Sequence, residues 1–312
     1  ALQAIHSLDK EKNEVLVPSL TYAASYQAIS GAGLKPISCD INPKTLNICF
    51  KEIQKKFNKK TLAIMPVHYS GDPAGIEKIN SFAKRNKIRV VEDAAHAFGS
   101  VYKNKVVGSF GDISCFSFDG IKNITCGEGG AIVSNDNAVL SKASDIRTLG
   151  IIGDSARRTA KKRSWSFDIE EQGYRYHMSD INAAIGVVQL KRFSSFRTKR
   201  MLLAKNYDEI FKNSTHISTF KRNYDEITPH IYAVKLLVPN SREKLQNYLL
   251  AQGIQTGYHY FPNHLLTFFQ KKGEVLPVVE SIFPDLLTLP SHVGVSKKDV
   301  KLIFKAINAF YC

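Results

Sequence analysis

Between residues 14 and 117 the chain alternates short apolar, β-branched runs with stretches of helical spacing, and this alternation limits the fold more than any other feature. "EVLVPS" (14–19) is followed by "TYAASYQAISGAG", whose apolar spacing suits a helix closed by Gly31 or Gly33, and then by "KPISCDI" (35–41). "TLAIMPV" (61–67) leads through "GDPAG" into the helical "IEKINSFAKRNK", and "IRVVED" (88–93) and the strand-like "DISCF" follow. Strands that recur with helices between them need right-handed crossovers and lie mainly parallel. The expected class is α/β, with a mainly parallel central sheet flanked by helices.

The pattern changes further on. A basic, polar stretch from Gly150 to about Ser166 reads as a surface excursion, and "MSDINAAIGVVQLKRF" (178–193) reads as a helix with Ser179 as its N-cap. From about Asn206 the pieces become shorter and α+β in character, with "HIYAVKLLV" (230–238) a strand and "SKKDVKLIFKAINAF" (296–310) a terminal helix capped by Ser296. Two domains are expected: a large α/β domain over 1–205 and a small α+β domain over 206–312. The chain opens on "ALQAIHSL" with helical apolar spacing and no cap before it.

Composition narrows the partners. Lys+Arg of 43 against Asp+Glu of 28 leaves +15, concentrated in "KKFNKK" (55–60), "RRTAKKR" (157–163) and "KRFSSFRTKR" (191–200). Such runs are solvated faces or seats for an anion. No helix-turn-helix, zinc or RNA-binding signature accompanies them, so nucleic acid is not an expected partner. The five cysteines are odd in number, without CxxC or paired Cys/His spacing, and read as reduced thiols of a cytoplasmic protein with no metal site. No run reaches the roughly 18–20 apolar residues that a bilayer span needs.

In a parallel sheet the ligand lies beyond the carboxyl ends of the strands, where loops and helix N-termini converge. Polar residues follow several strand-like runs: Thr21 and Tyr22, His68 and Tyr69, Asp93 and His96, Ser117 and Lys122. An aspartate closing a strand is, on its own, a common N-cap or turn former. In "VVEDAAHAFGS" an imidazole follows three residues later, so that Asp93 and His96 can hold opposite edges of one aromatic ligand. "FSFDGIKNITCGEGGA" then places Lys122 five residues after Ser117, in a turn followed by Gly127, Gly129 and Gly130. The amine suits a Schiff base, the hydroxyl suits a phosphate, and the glycines let the backbone come close. An amine used in this way has to be partly desolvated and deprotonated.

With these residues in place, the chain resembles the DegT/DnrJ/EryC1/StrS family of sugar aminotransferases, fold-type I enzymes that depend on pyridoxal 5'-phosphate (PLP). Six segments carry the resemblance in the family's order: "VPSLTYAAS", "PVHYSGDPAGIEKI", "VVEDAAHAFGS", "SFDGIKNITCGEGGAIVSND", "WSFDIEEQGYRYHMSDINAAIGVVQL" and "YHYFPNH". The resemblance implies that Lys122 carries the cofactor and moves the proton, that Asp93 pairs with the pyridinium nitrogen, and that His96 faces the ring's 3-oxygen. It implies Ser117 on the phosphate, Tyr22 stacked on the ring face, and His259 near the substrate.

The resemblance also implies a homodimer with shared active sites. In the family the segment written here "GYRYHM" usually reads Gly-Tyr-Asn-Tyr-Arg-Met, and its asparagine reaches the partner's cofactor phosphate. This chain has Arg175 there, a charged donor for a phosphate, and His177 in place of the arginine. Family members also carry an upstream segment ending in a Gly-Thr-x-Ala-Leu turn that holds the phosphate. Ala1–Leu2 look like its tail, and a fragment of a longer chain is expected. The implied reaction aminates a UDP- or dTDP-linked 4-keto (or 3-keto) deoxysugar with L-glutamate as donor, in cell-surface polysaccharide or glycan biosynthesis. The stretch from Arg157 to Arg163 would then serve the diphosphate. The alternative is a catalytically weakened homologue that acts as a binding or dimerisation partner.

Overall fold

A computed structural model describes residues 1–73, 75–153 and 167–312. Its main sheet is built from β1 (Glu14–Pro18), β2 (Lys35–Cys39), β3 (Thr61–Ile64), β4 (Arg89–Asp93), β7 (Ile113–Ser117) and β8 (Gly130–Ser134), with a small ribbon of β5 (Val101–Tyr102) and β6 (Lys105–Val106) between. The order is β2-β1-β3-β4-β7-β8, parallel throughout except for the last strand. Strands of this kind are covered on both faces and so read as continuous apolar runs. Val15 and Val17 pack with Tyr26 and Ile29 of helix α2 (Ala23–Gly31) on one face. Leu16 points the other way, into a core with Ile53 of α3 (Phe50–Lys56) and Ile79 of α4 (Ile76–Asn86), as the two-residue period of a strand requires. The strand expected over 61–67 stops at Ile64. Pro66 has no N–H to give the ladder, and Val67 keeps only an isolated bridge to Asp93.

After β8 comes α5 (Asn137–Arg147), and then the helix expected over 178–193 runs much further, as α6 (Asp180–Phe211). Ser179 caps it, its hydroxyl accepting from the Asn182 amide at 3.2 Å. No proline interrupts it, so nothing in its sequence stops the helix before Phe211. The division expected near 205 falls inside it. Its far end buries Leu203, Ala204, Tyr207 and Phe211 in a second core with Val234, Leu245 and Leu287. That core lies under an antiparallel sheet of β9 (Ile217–Thr219), β10 (Tyr232–Leu236) and β11 (Leu286–Leu289), covered by α7 (Arg242–Ala251) and, beyond the short α8 (Pro277–Ile282), α9 (Lys297–Tyr311). Ser296 and Asp299 form a capping box at the start of α9. Leu245 is fully buried there, and Leu245→Ala is expected to cost about 2–5 kcal/mol, read as a lowered denaturant midpoint.

Among the basic runs, Lys55 and Lys56 stand 3.5 and 3.6 Å from Glu52 on α3, Lys55 exposed and Lys56 partly buried. Residues 157–163, expected to serve a diphosphate, lie outside the described residues. No helix among the described residues is long and apolar enough to cross a membrane.

Candidate active site

The carboxyl ends of β4 and β7 lie side by side, with Asp93 opposite Cys115 in the register, so the residues that follow both strands meet at one edge. Asp93 closes β4, and its carboxylate is held from two sides. Ser25 Oγ donates to Oδ2 at 2.7 Å and the Ala95 amide to Oδ1 at 3.1 Å. Ser25 is itself 2.8 Å from the Thr21 hydroxyl, one helical turn before it. The first turn of α2 therefore aims the carboxylate.

Lys122 follows β7 in a turn whose amide donates to the Asp119 carbonyl at 3.0 Å. Asn123 pins this turn. Its Nδ2 donates to the carbonyls of His96, Phe98 and Thr228 at 3.2, 3.3 and 3.1 Å. Lys122 is half-buried and lines a cleft of about 600 Å³. Burial lowers its pKa below the ordinary lysine value of 10.5, against the pull of Asp93 and Asp119, which raise it. Removing the charge of Asp119 removes one of the raising influences. Asp119→Asn is therefore expected to move the pH midpoint for capture of PLP by Lys122 downward, measured by the absorbance of the captured cofactor against pH.

Three imidazoles surround this amine. His96 is only 4% exposed; its Nε2 lies 2.7 Å from the Tyr260 hydroxyl and its Nδ1 has no hydrogen-bond partner among the described residues. His230 is buried against it, ring centroids 4.5 Å apart, with neither ring nitrogen paired among the described residues. His259 places Nδ1 2.9 Å from the Thr288 hydroxyl. Burial first, and then neighbouring positive charge that includes Lys122, holds His96 and His230 well below the usual histidine range and His259 at about 4. At neutral pH all three are uncharged and can each donate one hydrogen bond and accept another.

The remaining expected residues fall as follows. Tyr22 opens α2 and is 60% exposed, one side of its ring near Tyr260 at 5.5 Å. Ser117 ends β7, its hydroxyl oxygen accepting weakly from the Asp119 amide at 3.4 Å, which leaves the proton to give. Arg175 is exposed, its backbone bridged to Thr148, and makes no contact with the Lys122 cluster of its own chain. Four residues that hold the site were not singled out from the sequence: Ser25, Asn123, His230 and Tyr260. Ser25 and Tyr260 sit inside quoted motifs, and Asn123 follows the lysine directly. His230 carried one signal, an imidazole at the start of a strand-like run.

These residues fit PLP. A half-buried amine, a carboxylate aimed by two hydrogen bonds, a buried ring nitrogen without a partner and an exposed tyrosine face are the set that a phosphorylated pyridine aldehyde needs. A Cβ on Gly130 would lie 2.8 Å from the Phe116 carbonyl, so β8 packs against β7 only because no side chain is there.

Comparison with known proteins agrees. Residues 1–308 match the profile of the DegT/DnrJ/EryC1/StrS aminotransferase family. The chain is 36% identical over 303 residues to the GDP-perosamine synthase of Escherichia coli O157:H7, covering 96% of this chain and 80% of that protein. It is 35% identical over 316 residues to the UDP-4-amino-4,6-dideoxy-N-acetyl-beta-L-altrosamine transaminase of Campylobacter jejuni strain 81-176, covering 97% and 81%. The PLP-form structure of Spr1654 from Streptococcus pneumoniae superposes with a TM-score of 0.86 at 28% identity, over 99% of this chain and 84% of that one. The chain belongs to the DegT/DnrJ/EryC1/StrS aminotransferase family, and it is a PLP-dependent nucleotide-sugar aminotransferase.

Proposed function

We propose that the chain moves an amino group from L-glutamate to the 4-keto, or 3-keto, carbon of a UDP- or dTDP-linked deoxysugar, in the cytoplasm, for a cell-surface polysaccharide or glycan. The observation that carries this reading is the half-buried Lys122 amine, lining the cleft, among three uncharged imidazoles. When bound, PLP supplies an electron sink for the carbon that gains or loses the amine. The protein supplies the rest. Asp93, kept in place by Ser25, would hold the ring nitrogen and keep its proton there. Burial raises the phenol pKa of Tyr260 and keeps it protonated, so it would be the donor to His96 Nε2. An uncharged His96 would then carry its own proton on Nδ1, as a donor for the ring oxygen. Ser117 would hold the phosphate, Tyr22 would cover the ring face, and His259 would meet the sugar. Lys122, with its pKa lowered, would hold and return the proton at the reacting carbon.

Relatives are named for GDP- and UDP-linked sugars, so the test uses UDP-, dTDP- and GDP-linked ketosugars. Protein loaded with pyridoxamine phosphate should regain the PLP absorbance in a single turnover with a 4-keto-6-deoxyhexose nucleotide, and not with the parent sugar, which has no ketone. If no ketosugar reacts while amino acids still discharge the PLP form, the sugar reading fails.

The working unit we infer is a homodimer, its two domains divided within α6. Ile181, Ile185 and Val188 on the first half of α6 are exposed, as are Tyr176 and Met178 beside Arg175. A second copy would cover them and bring Arg175 to the partner's phosphate. Mixed Lys122→Ala and Arg175→Ala chains, each inactive alone, are expected to recover about a quarter of wild-type activity on random re-association, since half of the dimers are mixed and each has one complete site. No recovery in a verified heterodimer would separate Arg175 from the shared site.

A further inference from the structure

Two buried neighbours, Asn263 and His264, hold the loop that joins β1 to α2. Ser19 and Thr21 of that loop are buried as well, so its carbonyls need donors from within the protein. Asn263 supplies them. Its Nδ2 donates to the Ser19 carbonyl at 3.2 Å and to the Thr21 carbonyl at 2.6 Å, and its own amide donates to the Ser19 carbonyl at 2.9 Å. Both carbonyls are acceptors, which only the NH2 end of the side chain can serve. Its Oδ1 is buried with no hydrogen-bond partner among the described residues, a costly arrangement that marks the two side-chain protons as the part in use. His264 fastens the same loop at Ser19. The Ser19 hydroxyl accepts from the His264 amide at 3.2 Å and lies 2.6 Å from Nδ1, while Nε2 lies 3.0 Å from Glu280.

We propose that Asn263 is a positioning residue for Asp93, acting through Thr21 and Ser25. The proposal rests on the reading of Asp93 as the partner of the cofactor's ring nitrogen. Ser25 has one proton and gives it to Asp93 Oδ2 at 2.7 Å, so in its 2.8 Å contact with Thr21 it is the acceptor and Thr21 the donor. Each hydroxyl in this chain orients the next, and the bonds strengthen one another toward the carboxylate. The chain begins at Thr21, whose backbone Asn263 grips at the carbonyl. With that grip gone, Thr21 is free to turn its hydroxyl away from Ser25, and Ser25 is free to turn away from Asp93. The side chains of Ser19 and His264 lie one step back: they make no hydrogen bond to Thr21 or Ser25 among the described residues.

The test measures PLP affinity, by titrating the cofactor-free protein, and the amino-transfer rate in Asn263→Ala, Ser25→Ala and the double variant. Each single change is expected to weaken both about tenfold, and the double variant should stay within about twofold of the worse single rather than reach the product of about a hundredfold, as two links of one chain require. Asn263→Asp keeps the volume and turns an oxygen to the two carbonyls, so it should lose as much as Asn263→Ala. Ser19→Ala loosens the same loop without touching the Thr21 carbonyl; it should lower the unfolding midpoint and leave PLP affinity within about twofold of wild type. Should Asn263→Ala not fold, Asn263→Ser, which keeps one proton, takes its place in the cycle. If the losses in the cycle multiply, if Asn263→Asp behaves as wild type, or if Ser19→Ala loses as much PLP affinity as Asn263→Ala, Asn263 only ties the loop down and the proposal is wrong. If Asp93→Asn leaves PLP affinity and rate unchanged, the reading of Asp93 itself fails, and the proposal with it.

Discussion

Lys122→Ala is expected to abolish covalent capture of PLP and to lower amino transfer by about four orders of magnitude or more, since the amine both holds the cofactor and moves the proton. Asn123 ties the Lys122 turn to three carbonyls, so the loop does not depend on the lysine for its shape and the variant should fold. Borohydride treatment of wild type should fix the cofactor on the peptide that contains Lys122. Labelling of another lysine, or an unchanged absorption band in Lys122→Ala, would remove the residue from its role.

Asp93→Asn is expected to cost about two to three orders of magnitude in rate, because the amide keeps the shape of the side chain and loses the charge that holds a proton on the ring nitrogen. Ser25→Ala offers the contrast. It leaves the charge and removes one of the two hydrogen bonds that aim it, so its loss should be smaller, and the bound cofactor's absorption should stay close to that of wild type. Equal losses in the two variants would mean that Asp93 acts only by shaping the loop.

Lys122, Asp93 and His96 were legible because each sits in a short contiguous segment at a strand end, where a parallel sheet gathers its ligands. The apolar run Val15–Val17 of β1 was legible for the related reason that a strand buried on both faces favours apolar residues. Ser25 and Asp93 are 68 positions apart, and Arg200 and the His230 carbonyl 30 apart, and no local pattern links such pairs. The end of α6 was hidden for a different reason. Its apolar face changes from one that stands exposed at Ile181 and Val188 to one that packs into the second core at Leu203 and Tyr207, so no single periodic stripe runs its length. The boundary expected near 205 came from that change of pattern.

An unbroken helix rooted in the second core and running back along the cleft also governs how the cleft can move. A hinge needs a loop or an element end that can absorb a change of backbone angle, and α6 has none between Asp180 and Phe211. Gln189, Phe196 and Arg200 all line the cleft from this one rod, which fixes the spacing of their backbone anchor points. One wall of the cleft is therefore set by a single rigid element, and any adjustment of the cleft to what it holds has to come from its other walls.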